Sequence, residues 1–309
     1  MRKIINGLYA MLLAVLTITA TSCEADRPSY DGPSYILFSD TLNVLPVQNN
    51  DEYFDIPVAA TKACSYDRTV AVEVIDKNSN AIEGKHYTID SHSVVIKAGE
   101  RMGNIRIRGF YDNIKVSDNL ALTLRLLTPE NEHWNLYSDN YESKVILQKC
   151  CPFDINLFEG YAVLTSTYMQ EFMPNVDNRL IKTVVDPENE NTIIMKDYFY
   201  DGYDVKIRFT TKDILNPLIE MDEQVFAPTA DAFGTNYGDG YLHLYQPNGP
   251  VSYYSTCEQF IFQYFTLYVP GMAGNNVVGT FANAVEWVSD EEAQKIRQEG
   301  SMQISESAK

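Results

Sequence analysis

The side chains with chemical potential in this 309-residue chain are five cysteines, four histidines and two places where tyrosines gather around carboxylates. One place is the stretch Tyr198, Phe199, Tyr200 and Tyr203, interleaved with Asp197, Asp201 and Asp204. The other is the glycine-rich run Gly234–Gly240, which carries Asp239 and is flanked by Tyr237 and Tyr241. Zinc needs Cys or His converging at ligand spacing. Cys150-Cys151 has no neighbouring His, and no pair among His86, His92, His133 and His243 has a ligand spacing. The chain has no Gly-x-Ser-x-Gly elbow, and Gly234–Gly240 precedes a strand, so it does not cradle a phosphate at a helix start. It reads instead as a flexible loop. A glycosidase needs two carboxylates at a fixed separation across a sugar bond, whereas Asp197, Asp201 and Asp204 all fall around one hairpin turn and read as solvated turn acids. No catalytic residue and no cofactor is therefore assigned. Rings at loop tips can stack on the apolar face of a sugar while nearby carboxylates bind its hydroxyls. The same rings can also line a barrel or a protein contact surface. Tyr200, Tyr203, Tyr237 and Asp239 are the candidate ligand-binding residues. His243, on the strand Tyr241–Tyr245, reads as core or wall packing.

Cys23 is the one cysteine with a motif around it. Arg2 and Lys3 precede the uncharged, mostly apolar stretch from Ile4 to Ala20, and the small residues Ala20, Thr21 and Ser22 lead into Cys23. A charged start, an apolar middle and a small-residue cleavage site make a secretory signal. The Ala-Thr-Ser-Cys ending resembles a lipobox, with Ala where Leu is commonest. That resemblance implies cleavage after residue 22 and lipidation of Cys23, several acyl chains together giving firm anchorage. Glu24 and Asp26 resemble the acidic export tag of Bacteroidota surface lipoproteins. The expected address is the outer membrane, on the cell surface, with the periplasmic face as the alternative.

Composition narrows the partners. With 24 basic and 42 acidic residues the net charge is −18, and loss of Arg2 and Lys3 with the leader takes it to −20. Such a chain repels phosphate backbones, which excludes nucleic acid. The remaining length suits two domains. Abundant Tyr, Phe, Val, Ile and Thr without long helical patterns favour strands. An exported protein permits disulfides, and Cys64, Cys150, Cys151 and Cys257 allow three complete pairings that sequence alone leaves open.

Residues 23–34 read as a tether, rich in Pro and Gly. Over 35–150, Val70, Val72 and Val74 alternate with Ala71 and Glu73, Ile105 and Ile107 with Arg106 and Arg108, and Leu122, Leu124 and Leu126 with Thr123 and Arg125; Val94 to Ile96 starts another strand, and Val145 and Leu147 close the series. Period-two alternation with frequent turns predicts a half-buried antiparallel sheet in an Ig-like sandwich. The order VAVEVID, AIEGKHYTI, SVVIKAGERMGNIRIRGFYDN and DNLALTLRLLTPEN resembles the Calx-beta family over residues 35–149. That family's calcium-binding members cluster acidic residues in loops at one end, so the resemblance offers Glu83, Asp112 and Asp118 as weak calcium candidates. His86 stands where the family carries Asp, and calcium needs six to eight oxygens, so no metal site is assigned.

A second all-β unit is expected over 151–289, with strands at Tyr161–Thr167, Arg179–Val185, Thr192–Met195, Val205–Phe209, Tyr241–Tyr245, Phe260–Val269 and Gly279–Trp287. Such a meander suits a lipocalin-like antiparallel barrel or curled sheet. The stretches VDPENENTIIMKDYFYDGYDVKIRF and YYSTCEQFIFQYFTLYVPG resemble uncharacterised lipoproteins of Bacteroides-type polysaccharide-utilisation loci. Within 290–309, Ser289 with Glu292 makes a capping box that predicts a helix over Asp290–Glu299, followed by a frayed tail. The sum is an all-β, lipid-anchored surface accessory protein that binds a glycan or other ligand without chemistry. The alternatives are an adhesive module that binds another envelope protein and, third, a glycoside hydrolase.

Overall fold

The structure is a computed structural model that describes residues 30–129, 140–272, 274 and 276–309. The expected leader, Cys23, Glu24, Asp26, most of the tether and His133 lie outside the described residues.

Among the described residues nine strands come first: β1 (Ile36–Phe38), β2 (Leu42–Val47), β3 (Phe54–Ala60), β4 (Arg68–Ile75), β5 (Tyr87–Ile89), β6 (Ser93–Ile96), β7 (Met102–Gly109), β8 (Leu120–Leu127) and β9 (Glu142–Lys149). They form two sheets, β1-β3-β7-β5 and β2-β9-β8-β4-β6. The inward residues of each, among them Ile56, Val58, Ile105 and Ile107 from one and Val72, Leu122, Leu124 and Val145 from the other, meet in one core. The alternation legible in the sequence is thus the alternation between core and solvent. One pairing departs from the antiparallel expectation: β2 runs parallel to β9, with Leu45 opposite Leu147. The chain enters the second sheet beside its last strand, at the edge, and no hairpin joins the two.

The second unit holds β10 (Gly160–Ser166), α1 (Thr167–Phe172), β11 (Asn178–Val185), β12 (Thr192–Lys196), β13 (Val205–Phe209), β14 (Ile219–Glu220), β15 (Gln224–Pro228), α2 (Thr229–Phe233), β16 (Tyr241–Tyr245), β17 (Tyr253–Ser255), β18 (Phe260–Tyr268), β19 (Val277–Val288), α3 (Asp290–Glu299) and β20 (Gln303–Ile304). Its single curled sheet has the order β14-β13-β12-β11-β10-β19-β18-β16-β15, with β17 on β18 and β20 on β11. The curl brings the two ends together. The Gln224 amide stands in for the missing ladder, accepting from Lys206 N at 2.7 Å and donating to Lys206 O at 2.9 Å. The interior is filled by Phe158, Phe199, Phe209, Phe226, Phe265 and Phe281 with Tyr168 and Tyr254. A buried polar knot sits among them. Tyr198 donates to Gln263 Oε1 at 2.6 Å, and Asn283 donates to the Tyr198 hydroxyl at 2.8 Å.

Three expectations change here. The chain leaves β10 at Ser166, whose Oγ caps α1 by accepting from Tyr168 N at 3.1 Å, so the strand expected to Thr167 ends one residue early in a helix. Helix α3 has the expected bounds, and Ser289 Oγ accepts from Glu292 N at 3.2 Å. The tail beyond it is ordered rather than frayed: β20 pairs parallel with β11, and Ser305 and Ala308 are fully buried. The acids of the 197–204 hairpin hold that tail. Asp197 Oδ2 accepts from Ser307 N at 2.8 Å, and Asp201 Oδ1 accepts from Glu306 N at 3.2 Å and from the buried Arg179 at 2.5 Å. Asp197 is therefore a buried clasp and not a solvated turn acid. Burial alone raises its pKa, but bonds from the Gly202 and Ser307 amides and the nearby Arg179 carry it below the usual value. Among the cysteines, Cys151 pairs with Cys257, tying the segment after β9 to the β17–β18 turn, while Cys64 and Cys150 are free thiols. Burial pushes the Cys150 thiol up to about 11, which makes it a poor nucleophile.

Candidate functional site

The Gly234–Gly240 loop is pinned by hydrogen bonds along its length. Gly234 closes α2 in the left-handed conformation, its N–H bonding Ala230 O at 2.8 Å. The loop then turns back on Thr229, whose Oγ1 accepts from Tyr237 N at 2.9 Å and whose N–H reaches Gly240 O at 2.9 Å. Its crest lies against the β18–β19 connection, with Asp239 N donating to Pro270 O at 3.0 Å. Gly238 makes that approach possible. It has φ +53°, and a Cβ there would stand 2.1 Å from Pro270 O.

The loop thereby presents Asp239 in a fixed orientation. Asp239 Oδ1 accepts from Tyr241 N at 2.9 Å, and Oδ2 lies 3.2 Å from His243 Nε2. The other ring nitrogen of His243 is 3.4 Å from Glu223 Oε1, and Glu223 also accepts a short hydrogen bond from the Tyr268 hydroxyl. That bond, followed by partial burial, pushes the Tyr268 phenol up to about 12, so at neutral pH it stays a donor. His243 is thus on the outer wall of the curled sheet, between two carboxylates, and not in the core. Strand alternation explains this: Leu242 and Leu244 point inward, while Tyr241, His243 and Tyr245 share the outward face. Tyr268 lies directly opposite His243 across the ladder, with ring centroids 5.6 Å apart.

Tyr237 and Tyr241, each 44% exposed, flank Asp239 in sequence and present their rings to solvent. Tyr237 forms one wall of a shallow, mostly apolar cavity of about 280 Å³, completed by Phe233, Met272, Val277 and Val278. Tyr203 stands near Tyr241 and Asp231, on the rim that the Gly234–Gly240 loop forms at this end of the sheet. Its phenol is raised by partial burial first and then by the neighbouring Tyr241 and Asp231. Three of the four candidate binding residues, Tyr203, Tyr237 and Asp239, therefore stand on or beside this end of the sheet. Tyr200 does not present itself to a ligand: it is half-buried, its hydroxyl bonds the Tyr168 hydroxyl at 2.9 Å, and its ring packs on Phe226. Its turn folds inward because Phe199 and Tyr198 are wholly buried beneath it. The residues missed in the sequence are Glu223, His243 and Tyr268. For His243 and Tyr268 the sequence signal is the shared outward register of β16 and β18; Glu223, just before β15, carries none.

A larger cleft, about 610 Å³, lies beside the Cys151–Cys257 crosslink and is lined by Lys149, Phe153, Ile214 and Tyr254 among others. Its prominent groups are already engaged. Lys149 donates to Tyr111 O and Ile114 O at 3.1 and 2.9 Å, and Tyr254 belongs to the barrel core. Glu83 accepts from Ile89 N at 3.4 Å and faces His92, Asp118 accepts from Lys115 N at 2.9 Å, and Asp112 lies on the short turn Tyr111–Asn113. Among the described residues no group of three or more Asp, Glu, His or Cys is placed to hold a metal ion.

Comparison with known proteins adds a family and a set of remote structural likenesses. The sequence profile of a family described as a domain of unknown function, DUF4984, matches residues 136–299. No curated protein matches the chain in sequence. Among solved structures, a protein of unknown function from Bacteroides ovatus is similar at 11% identity and TM-score 0.35, over 82% of this chain and 89% of that one. An auxiliary nutrient binding protein from Bacteroides thetaiotaomicron is similar at 15% identity and TM-score 0.31, over 80% and 91%. The apo form of the Calx CBD1 domain is similar at 16% identity and TM-score 0.29, over 38% and 96%.

Proposed function

We propose that this chain, which belongs to the DUF4984 family of domains of unknown function, is a lipid-anchored surface accessory protein that binds glycan without chemically altering it. The observation that carries the reading is Asp239, held between Tyr241 N and His243 Nε2 on a pinned loop, with the exposed rings of Tyr237 and Tyr241 to either side. A rigid carboxylate acceptor beside flat rings suits a sugar, which offers hydroxyl donors around an apolar face. The carboxylates grouped at the 197–204 hairpin have structural partners: Asp197 and Asp201 clasp the C-terminal segment, and Asp204 accepts from Asp197 N at 3.0 Å.

The address follows from the leader and Cys23, and the Cys151–Cys257 bond supports it because such bonds persist in oxidising compartments. Glu24 and Asp26 favour the outward face. Metabolic labelling with palmitate should mark the wild type and not Cys23→Ala. Protease added to intact cells should degrade the protein; full protection would place it on the periplasmic face. A glycan array probed with the purified chain tests the ligand class, and absence of signal from every glycan would remove it.

A further inference from the structure

The outer wall of the curled sheet differs from one side to the other. Over β10 and β11 it is covered, because Tyr161 and Val163 pack with Ala293 and Ile296 of α3 and with Ile304 of β20. Over β17 and β18 the outward residues are aromatic and partly exposed. Along β18 the outward positions are Phe260, Phe262, Tyr264, Thr266 and Tyr268, while Ile261, Gln263, Phe265 and Leu267 face the core. Tyr253 of β17, 40% exposed, lies opposite Phe262 and brings its ring to 5.7 Å from Phe262 and 5.9 Å from Phe260. Phe262 and Tyr264 follow at 5.2 Å. On the other flank β19 offers only small side chains, Ala282 opposite Tyr264 and Ala284 opposite Phe262. The result is a shallow trough floored by those alanines and walled by rings. At about 3.3 Å per residue the ring wall extends for about 13 Å from Phe260 to Tyr264, and the buried Thr266, bonded to Thr280, separates it from Tyr268.

Three properties select its occupant. Among the described residues the trough has no charged group along its length, on a chain whose net charge is −18; carboxylates occur only beyond its ends, Glu286 opposite Phe260 and Glu223 against Tyr268. Strand β18 is hydrogen-bonded on both sides, to β16 and β17 and to β19, so no peptide can dock by adding a strand. The trough also points toward the rim: beyond the buried Thr266, the same outward register brings Tyr268 opposite His243. We propose that the trough along β18 binds an extended, uncharged polysaccharide chain over a few sugars, in line with the rim at Asp239. Tyr253, Phe262 and Tyr264 are the stacking rings. The proposal rests on the glycan-binding reading above and adds the class of glycan and the length of contact.

The test is affinity electrophoresis of the full mature chain through gels cast with xylan, mannan, β-glucan or polygalacturonate, followed by titration with oligosaccharides of increasing length from whichever is retained. The variants are Tyr253→Ala, which leaves the neighbouring core residue Tyr254 in place, Phe262→Ala and, at the rim, Tyr237→Ala, each checked for a native melting transition. A neutral polysaccharide should retard the wild type and polygalacturonate should not. Affinity should rise with oligosaccharide length, and Tyr253→Ala and Phe262→Ala should each weaken it about tenfold and flatten that dependence. Unchanged retardation of both trough variants, with Tyr237→Ala running free, would overturn the trough and keep the rim. Retention by polygalacturonate alone would overturn the uncharged ligand, and retention in no gel would overturn both readings. A concentration-dependent dimer that Tyr253→Ala dissolves would replace the glycan with a second copy of this chain.

Discussion

His243 Nε2 lies 3.2 Å from Asp239 Oδ2, and the opposite nitrogen of the same ring lies 3.4 Å from Glu223 Oε1. One imidazole thus joins the crest of the glycine-rich loop to the start of β15. It sets the direction in which Asp239 presents its free acceptor capacity. Replacing His243 with Ala should weaken retention on a bound glycan several-fold while leaving the fold intact, because His243 is on the outer wall and the core residues Leu242 and Leu244 are untouched. Affinity electrophoresis beside a thermal melt checks this; a melt lowered as much as that of a core truncation would contradict it.

Gly238→Ala should disable the same acceptor from the backbone. A Cβ would meet Pro270 O at 2.1 Å, in a residue already at φ +53°. Alanine where φ is positive costs more than the ~1 kcal/mol gained from a stiffer unfolded chain, and the clash adds to it. The expected outcome is a lowered denaturation midpoint together with lost glycan retention. A midpoint equal to that of the wild type would show that the loop does not depend on this approach.

Loss of the Cys151–Cys257 bond should lower stability by about 2–4 kcal/mol, because it closes a long loop in the unfolded chain. Cys64→Ser should change little, since that thiol has no disulfide partner. Urea unfolding of Cys151→Ser with Cys257→Ser, compared with Cys64→Ser, separates the two; equal midpoints would contradict the assignment.

Acid should loosen the molecule through Asp186 and Asp197. Bonds from Lys206 and from the Glu188 amide and Asn189 hold Asp186 well below its ordinary value. Asp197 is also lowered, its amide bonds outweighing burial. A carboxylate of unfolded pKa about 3.9 that is more acidic when folded leaves the unfolded state binding more protons in the interval between the two values. Stability therefore rises with pH there. It is fully present above about pH 5 and is lost as pH falls through the folded values. Calorimetry from pH 2 to 6 should show the melting temperature falling below about pH 4, less steeply in Asp186→Asn.

Much of the architecture was legible because period-two alternation reports directly which side of a strand is buried. Val70 and Val72, Ile105 and Ile107, and Leu122 and Leu124 all face the sandwich core, and the Ser289 cap placed α3 to the residue. The parallel pairing of β2 with β9 was not legible, since it depends on contacts between distant parts of the chain. Nor was the tail, because its order comes from Asp197 and Asp201 over a hundred residues away. The candidate site was half legible. Turn chemistry singled out Tyr237 and Asp239, but an exposed tyrosine and a buried one have the same letter, so Tyr200 was placed at a tip when it belongs to the wall of the core. The outward rings of Phe262 and Tyr264 were not legible, because both faces of β18 are largely apolar and only the burial of Ile261 and Phe265 shows which face is inside.

The central claim is that Asp239 on its pinned loop binds a sugar. Its most direct test runs wild type and Asp239→Ala side by side through native gels containing each neutral polysaccharide in turn. The account predicts retardation of the wild type in at least one gel and free migration of the variant in that same gel. Identical mobility of the two proteins in every gel would contradict it.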